Sequence, residues 1–312
     1  MARRLVVIGK NRLAVECLDV VVAAGDEVIL AVADAGDDGI DGWQPSFRGA
    51  VERHGLRLEA PADLNDPAFV TRVDAAQPDF VLSFQAAQIL RRPLIATGRV
   101  ATLNLHFGQL PRYRGVAPIA WALINGEAAT GVTIHHINPG IDSGAIVRTI
   151  EVPIEDADTG RTLYDKCTDA GIGLFREAWP DLRSGPIESR PQDPARALYY
   201  NRHSIDFSRR HVSWHADAAM IANWLRAFIF PPFQHPLVAL DGIEYEVAGV
   251  DWDREPHRGR PGEILAVDGT RIVVGAPGGR LTIGPLRRDG STLDADAVVT
   301  AGFAAGATLE DV

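Results

Sequence analysis

The chain has 312 residues, of which 46% are hydrophobic and 23% are charged, and its formal net charge is -10. This length allows one large domain or two, and the composition is that of an ordinary globular protein. The excess of acidic residues disfavours binding to a polyanion such as a nucleic acid.

The N-terminal apolar run is short, and Lys10 and Arg12 interrupt it, so it does not have the pattern of a secretory signal. No segment approaches the roughly 18 unbroken apolar residues of a membrane-spanning helix. The two cysteines, Cys17 and Cys167, are far apart, which excludes a disulfide framework and a cysteine-rich zinc site. We therefore expect a cytoplasmic protein with no membrane association and no bound metal.

Strands and helices alternate through the first half of the chain. Short apolar runs predict strands at 5–8, 27–33, 79–84, 100–105, 133–137 and 145–152. Helical patterns lie at 12–24, 46–54, 66–76, 117–124 and 162–182. This alternation predicts an α/β fold, a Rossmann-like and mostly parallel sheet with helices on both faces. The first strand leads into Gly9 without a Gly-x-Gly-x-x-Gly turn, which disfavours a dinucleotide-binding dehydrogenase.

The pattern changes after a proline-containing break at 184–197. A helix is predicted at 216–227, and short apolar runs predict strands at 236–240, 243–250, 263–267, 271–274 and 280–283. The tight-turn pairs Asp241-Gly242, Asp268-Gly269 and Gly278-Gly279 separate several of these runs. This pattern predicts a small C-terminal antiparallel β-barrel of OB-like type. The predicted organisation is a catalytic domain over 1–184, a linker over 185–204 and the barrel over 205–312.

Polar side chains follow two of the predicted strands. Asn104 and His106 stand at the end of a strand with one residue between them, so they point to the same face. Ligands of open α/β sheets bind at the carboxyl ends of strands, where an amide and an imidazole can donate to one oxygen. Asp142, in a later turn, adds a carboxylate. Taken singly, Asn-x-His is more typical of a structural hydrogen-bonded pair, and Asp142 of a turn cap.

The joint pattern resembles the 10-formyltetrahydrofolate-dependent formyltransferases, in the branch of amino-sugar N-formyltransferases and methionyl-tRNA formyltransferases. The segments that carry the resemblance are Asn104-Leu105-His106, Leu110-Pro111-Arg112-Tyr113-Arg114-Gly115, Thr130-Gly131-Val132-Thr133 and Asp142-Ser143-Gly144. It extends over the whole chain, because larger family members pair this domain with a small C-terminal barrel. The resemblance implies that the family's catalytic Asn, His and Asp are Asn104, His106 and Asp142.

The resemblance also implies where the formyl donor and the acceptor bind. The donor, 10-formyltetrahydrofolate, is released as tetrahydrofolate after transfer. Its pterin ring is expected against two segments, at the residues Phe84, Ala87, Gln88, Ile89, Leu90, Ile137 and Ile141. Taken singly, each of the apolar residues Ile89, Leu90 and Ile141 is better explained by core packing. The acceptor is expected at Gln109, Tyr113 and Arg114.

One departure from the family pattern concerns the acceptor side of the site. Gly108-Gln109 stand where the family usually has Ser-Leu, so Gln109 places an amide where an apolar side chain is usual. His135 faces either the site or the core, and a buried, hydrogen-bonded histidine is the simpler interpretation.

Charge favours a small amine as the acceptor. The loop 34–41 is acidic where tRNA-directed members generally carry a basic loop, and residues 205–312 contain ten arginines and no lysine against fifteen acidic residues. We therefore expect a nucleotide-linked amino sugar rather than nucleic acid. Methionyl-tRNA, another small amine such as a natural-product or siderophore precursor, and a non-catalytic folate- or nucleotide-binding module stay open. The oligomeric state, including a homodimer, also stays open.

Overall fold

The computed structural model describes residues 2–311, and the chain divides into two compact units. The first unit comprises residues up to 116, 131–152 and 165–200, and the second comprises 117–130, 153–164 and the residues from 201 onward. The segment predicted as a linker, 185–204, therefore belongs to the first unit as far as residue 200. The division into a catalytic domain over 1–184 and a barrel over 205–312 stays a prediction.

The first unit is organised around a seven-stranded sheet. The strands of this part of the chain are β1 (Arg4–Gly9), β2 (Glu27–Ala33), β3 (Leu58–Glu59), β4 (Phe80–Phe84), β5 (Ala101–His106), β6 (Arg114–Gly115), β7 (Ala129–His136), β8 (Ile146–Pro153) and β9 (Tyr199–Tyr200). The sheet order is β3-β2-β1-β4-β5-β7-β8, and β6 pairs with β9. The pairs from β3 through β5 are parallel, whereas β5 and β7 are antiparallel. The predicted mostly parallel sheet is confirmed.

Helices cover both faces of this sheet. The helices of this unit are α1 (Asn11–Ala23), α2 (Phe47–Arg53), α3 (Pro67–Ala75), α4 (Arg92–Ile95) and most of α6 (Gly160–Ser184), and a 3₁₀ turn spans Pro194–Arg196. The helix α5 (Pro118–Ile124) belongs to the second unit. Val81 of β4 packs in one apolar cluster with Phe69 of α3. Its neighbour Phe80 instead makes an edge contact with Trp179 of α6, with ring centroids 5.3 Å apart. Alternate residues of one strand therefore bury opposite faces, each large side chain contributing about 1.5–3 kcal/mol.

A buried carboxylate ties the end of α6 to the sheet. The Asp26 side chain is fully buried and accepts hydrogen bonds from the Arg3 backbone N–H (2.8 Å) and from Trp179 Nε1 (2.9 Å). Arg183 adds an ion pair with an Nη2–Oδ1 distance of 2.5 Å. A buried charge with this many donors is compensated, so the contact fixes the helix rather than destabilising the core.

The second unit contains two four-stranded sheets. Its elements are α7 (Ala218–Phe228), β10 (Leu237–Leu240), β11 (Ile243–Val247), β12 (Val250–Asp253), β13 (Ile264–Asp268), β14 (Arg271–Ala276), β15 (Gly279–Ile283), β16 (Leu286–Arg288), β17 (Ser291–Thr292) and α8 (Ala295–Thr300). The sheet orders are β10-β11-β16-β17 and β12-β15-β14-β13, and the paired strands within each sheet are antiparallel. The predicted small antiparallel C-terminal domain is thus confirmed, with its strands divided between two sheets.

Both sheets of the second unit bury side chains in one apolar cluster, to which α7 and α8 also contribute. The turn between β10 and β11 is Asp241-Gly242, and both residues have positive φ (52° and 72°), as this two-residue hairpin turn requires. The sequence predicted one strand over 243–250, which is wrong. The chain leaves β11 after Val247 and enters the other sheet as β12 at Val250.

The segment 153–164 joins the second unit through α7. Arg226 of α7 donates hydrogen bonds from Nη1 to the backbone carbonyls of Glu155 (3.1 Å) and Asp156 (2.9 Å). In the part of the chain that the structure describes, no helix is both long enough and apolar enough to cross a membrane.

Candidate active site

The antiparallel pairing of β5 with β7 builds the centre of the site. Its register places Asn104 opposite His135 and His106 opposite Thr133. Directly opposed residues of an antiparallel pair share a face, so the amide and the two imidazoles project to the same side of the sheet. The structure thus brings Asn104 and His106 together, as the sequence predicted, and adds His135 from the neighbouring strand.

Asn104 is held by His135. Asn104 Nδ2 lies 3.1 Å from His135 Nε2, and His135 Nδ1 lies 2.8 Å from the carbonyl oxygen of His136. A carbonyl only accepts, so Nδ1 of His135 carries the proton and Nε2 accepts from the amide. One N–H of Asn104 is used in this contact. The other makes no hydrogen bond within residues 2–311.

His106 is fixed by a backbone carbonyl from the following loop. Its Nε2 lies 2.7 Å from the carbonyl oxygen of Tyr113, so Nε2 carries a proton that it donates there. Its Nδ1 lies 3.6 Å from Asp142 Oδ2. Neutral His106 therefore presents the lone pair of Nδ1 toward the carboxylate side of the site.

Asp142 completes the arrangement from the connection between β7 and β8. Its Oδ2 accepts a hydrogen bond from the backbone N–H of Gly115 at 2.8 Å, and its Oδ1 lies 3.6 Å from His135 Nε2. Its side chain is 16% exposed. Burial raises the pKa of the Asp142 carboxyl, but His106, His135 and the Gly115 N–H outweigh burial and hold this pKa well below its usual range. Asp142 is therefore ionised at physiological pH.

The His106 imidazole has a lowered pKa. Burial lowers it most, the Asp142 carboxylate raises it, and His135 lowers it further. Asp142 by itself favours the imidazolium, but the effect of burial on the His106 pKa is larger. The ring is consequently neutral at pH 7, with a basic Nδ1 beside an anionic carboxylate.

These groups supply two chemical capacities at one place. The unused N–H of Asn104 can donate to an oxygen that gains negative charge, and Nδ1 of His106 can accept a proton. Asp142 stabilises the imidazolium that results from protonation. Among residues 2–311 no cluster of three or more His, Cys, Asp or Glu side chains is arranged to hold a metal ion.

The residues predicted to bind the folate differ in how far their side chains are buried. Phe84 and Leu90 are buried in the core, whereas Ala87 is exposed and Ile89 is 64% exposed. Ile137 and Ile141 are half-buried. The accessible apolar side chains suit one face of a flat ring, which is the shape that the pterin requires.

Gln88 uses its amide within the protein. Its Oε1 accepts from the Leu64 backbone N–H (2.9 Å), and its Nε2 donates to the Ala62 carbonyl (3.1 Å). A shallow cleft lies beside it at the carboxyl ends of β1, β2 and β4. The cleft is lined by Ile8, Gly9, Lys10, Val32, Ala33, Asp34, Pro61, Leu64, Gln85, Ala86, Ala87 and Gln88.

The three residues predicted to bind the acceptor already have partners in the protein. Gln109 Nε2 lies 3.4 Å from Glu151 Oε2 on β8. The Tyr113 ring is buried and stacks on Tyr200, with centroids 6.1 Å apart. Arg114 donates from Nε and Nη2 to the side-chain oxygen of Gln192. Their assignment to the acceptor stays a prediction.

Three contributors to the site were not predicted from the sequence as functional: the backbone N–H of Gly115, the side chain of Gln192 and the imidazole of His135. His135 is only 2% exposed, so the prediction of a buried, hydrogen-bonded histidine agrees with its position. Its contact with Asn104 depends on the antiparallel register. The alternation of Thr133 and His135 on one face of β7 was the available signal, but it could not identify the strand opposite.

Comparison with known proteins gives matches over both parts of the chain. The family model described as formyl transferase matches residues 44–178. The model described as formyl transferase, C-terminal domain, matches residues 204–301. The two models together cover most of the chain.

Solved structures of similar fold include two enzymes whose full length this chain nearly spans. An N-formyltransferase from Helicobacter canadensis, in complex with folinic acid and dTDP-3-aminofucose, has a TM-score of 0.74 at 22% identity, over 91% of this chain and 99% of that one. WlaRD, a sugar 3N-formyl transferase crystallised with dTDP and 5-N-formyl-THF, has a TM-score of 0.73 at 22% identity, over 91% and 97%.

HypX from Aquifex aeolicus, in complex with tetrahydrofolic acid, has a TM-score of 0.61 at 17% identity, over 97% of this chain and 47% of that one. At these identities the structural likeness establishes the fold.

Proposed function

Since the chain belongs to the formyl transferase family, we propose that it moves a formyl group from 10-formyltetrahydrofolate to the amine of a nucleotide-linked amino sugar. One observation carries this proposal, which is that Asn104, His106 and Asp142 converge. Asp142 lies 3.6 Å from both His106 and His135, and Asn104 lies 3.1 Å from His135. An amide donor, a neutral imidazole and a buried carboxylate are the groups that transfer of an acyl carbon to an amine requires.

When bound, 10-formyltetrahydrofolate supplies an electrophilic formyl carbon. The residues that would hold it are the apolar ones of the predicted set that are not fully buried, Ala87, Ile89, Ile137 and Ile141. The exposed Ile89 supports this assignment, because a large apolar side chain in solvent is available for contact with a flat ring.

Asn104 stabilises developing charge. Its Nδ2 donates one hydrogen to His135, which fixes the orientation of the amide, and the remaining hydrogen is available to an oxyanion. A preoriented donor of this kind contributes about 3–4 kcal/mol to the stabilisation of a transition state. His135 acts here through Asn104.

His106 moves the proton. An amine must lose a proton as it bonds to the formyl carbon, and Nδ1 of neutral His106 accepts it while Nε2 remains bonded to the Tyr113 carbonyl. Asp142 stabilises the imidazolium at a distance of 3.6 Å. The same Nδ1 then returns the proton to the departing nitrogen, so His106 ends the cycle neutral.

Charge disfavours tRNA as the acceptor, and similarity supports a nucleotide-linked amino sugar. Residues 205–312 contain ten arginines and no lysine against fifteen acidic residues, which disfavours binding to tRNA. Two proteins of the same fold are described with a dTDP-linked amino sugar or with dTDP. These observations support a nucleotide-linked amino sugar as the acceptor.

The test is a panel of amines incubated with the purified protein and 10-formyltetrahydrofolate. The panel contains nucleotide-linked amino sugars, the corresponding free amino sugars, methionyl-tRNA and a hydroxyornithine-type amine, and products are measured by mass for the gain of one formyl group. We expect formylation of a nucleotide-linked amino sugar, lost in Asn104→Ala. Formylation of another amine alone would reject the acceptor, and folate binding without transfer to any amine would favour a binding module.

A further inference from the structure

We infer that Gln192 is a positioning residue for Asp142, an inference that rests on the proposed function. Gln192 lies outside the sheet, in the segment after α6, and its side-chain amide bridges the Arg114 guanidinium to the loop that carries Asp142. It contacts none of the atoms proposed to react, so any effect on catalysis is exerted through Asp142.

Every hydrogen-bonding group of the Gln192 amide is used. Its Nε2 donates to the backbone carbonyls of Asp142 (2.8 Å) and Gly144 (2.7 Å). Its Oε1 accepts from Arg114 Nε (3.0 Å) and Nη2 (2.7 Å). An amide with two donors and one doubly used acceptor is fully satisfied, which fixes its rotamer and its direction.

The segment that carries Gln192 is itself anchored to the sheet. The backbone of Arg190 exchanges two hydrogen bonds with Ile146 at the start of β8 (2.9 and 2.8 Å), and Leu198 accepts from the Arg114 backbone N–H at 2.8 Å. Gln192 therefore lies between two anchored points. Its side chain reaches the Asp142 loop from a rigid support.

β6 holds Asp142 in two ways. The Gly115 N–H bonds the Asp142 carboxylate, and the adjacent Arg114 bonds Gln192, which in turn bonds the Asp142 main chain. Asp142 has a φ of 45°, in the left-handed region, which Asp tolerates better than most residues but which is still less favourable than the right-handed region, so constraints from the surroundings help to hold it. The two bonds from Gln192 are such a constraint.

The distances at Asp142 explain why this constraint matters. Asp142 Oδ2 lies 3.6 Å from His106 Nδ1, and Asp142 Oδ1 lies 3.6 Å from His135 Nε2. A small rotation of the loop therefore changes which imidazole the carboxylate stabilises. Gln192 prevents that rotation and thereby preserves the pairing of Asp142 with His106.

The test compares two variants that remove different bonds. Gln192→Met is neutral, is similar in length and loses all four hydrogen bonds. Gln192→Glu loses both donors but keeps an acceptor for Arg114. The exposed Glu188→Ala, in the same segment, is the matched control. For each protein we would measure kcat, the KM values, the midpoint of thermal unfolding and the titration of His106 by NMR with ¹⁵N-labelled histidine, assigned with His106→Gln.

In both variants we expect kcat to fall on the order of 10- to 100-fold, the cost of a displacement of about 1 Å at a reacting group. In Gln192→Met the pKa of His106 should also fall, because the carboxylate that raises it has moved. A purely structural role would lower the unfolding midpoint and leave this titration unchanged.

Unchanged His106 titration in folded Gln192→Met, or wild-type kcat in Gln192→Glu, would overturn the inference. The NMR titration requires no turnover. If the wild-type protein formylates no amine but the His106 titration responds to Gln192→Met, the proposed function fails and the positioning role stands.

Discussion

The Nε2 atom of His106 lies 2.7 Å from the carbonyl oxygen of Tyr113, so this nitrogen is a committed donor and the other ring nitrogen, Nδ1, is left to react. The sequence alone suggested that His106 would share the stabilisation of an oxyanion with Asn104. The hydrogen bond to Tyr113 instead favours different roles for the two side chains. Asn104 supplies the donor, and His106 supplies the proton acceptor.

The first prediction concerns the pH dependence of the rate. If neutral His106 accepts the amine proton, kcat/KM should fall as the pH falls through the His106 pKa, and this acid limb should lie below the ordinary value of 6.5 because burial lowers the pKa. Asp142→Asn removes the carboxylate that raises the pKa, so the limb should move to still lower pH while kcat also falls. Rates measured with an acceptor whose amine does not titrate in this range provide the test. A limb that moves upward in Asp142→Asn would contradict it.

The second prediction concerns Asn104→Ala. Removal of the amide deletes one oxyanion donor, so kcat should fall about 10²- to 10³-fold with little change in the binding of the formyl donor. Single-turnover formyl transfer measures the first quantity, and folate titration measures the second. The exposed Asn125→Ala is the control and should retain wild-type turnover. Equal losses in binding and in kcat would instead indicate that Asn104 holds the ground state.

The sequence predicted the sheet well because its strands are short apolar runs with clear breaks. Asn104 and His106 were identifiable because they stand one residue apart at the end of such a strand, where ligands of α/β sheets bind. The hairpin at Asp241-Gly242 was identifiable because that dipeptide suits positive φ at both positions.

The rest of the site depends on contacts between residues distant in sequence. Gln192 lies fifty residues beyond Asp142, in a proline-containing segment with the composition of a linker. Its role follows from a backbone pairing of that segment with β6 and β8, which no local pattern encodes. The split between β11 and β12 was missed for a similar reason, because two apolar runs joined at Gly249 have the same pattern as one longer strand.

A third prediction concerns His135→Leu. The leucine leaves the partly buried Asn104 amide without its acceptor, so the free energy of unfolding should fall by about 1 kcal/mol and kcat should fall because the amide is no longer oriented. His135 also lowers the His106 pKa, so the acid limb of the rate should move to higher pH, opposite to its shift in Asp142→Asn.

His135→Gln, which offers an acceptor in a similar place, should recover part of the activity lost in His135→Leu. His215→Leu, at a side chain that is 73% exposed, is the control for the substitution itself. Denaturant unfolding and rate profiles measure the two effects. Wild-type rates in His135→Leu would remove His135 from the site.

The last prediction concerns Gly108→Ala, at the position where the family usually has serine. A Cβ atom here would lie 2.7 Å from His106 Nε2 and 3.0 Å from the Tyr113 carbonyl oxygen, so it would force apart the pair that fixes the imidazole. Because both groups are buried, we expect a loss of about 1–3 kcal/mol in unfolding free energy and a larger fractional loss in kcat than in folate affinity. Gly173→Ala, inside α6 with no heavy atom within 4 Å of the added Cβ, is the control and should be neutral or stabilising by about 0.5–1 kcal/mol. Undiminished turnover in Gly108→Ala would show that the hydrogen bond between His106 and Tyr113 is dispensable.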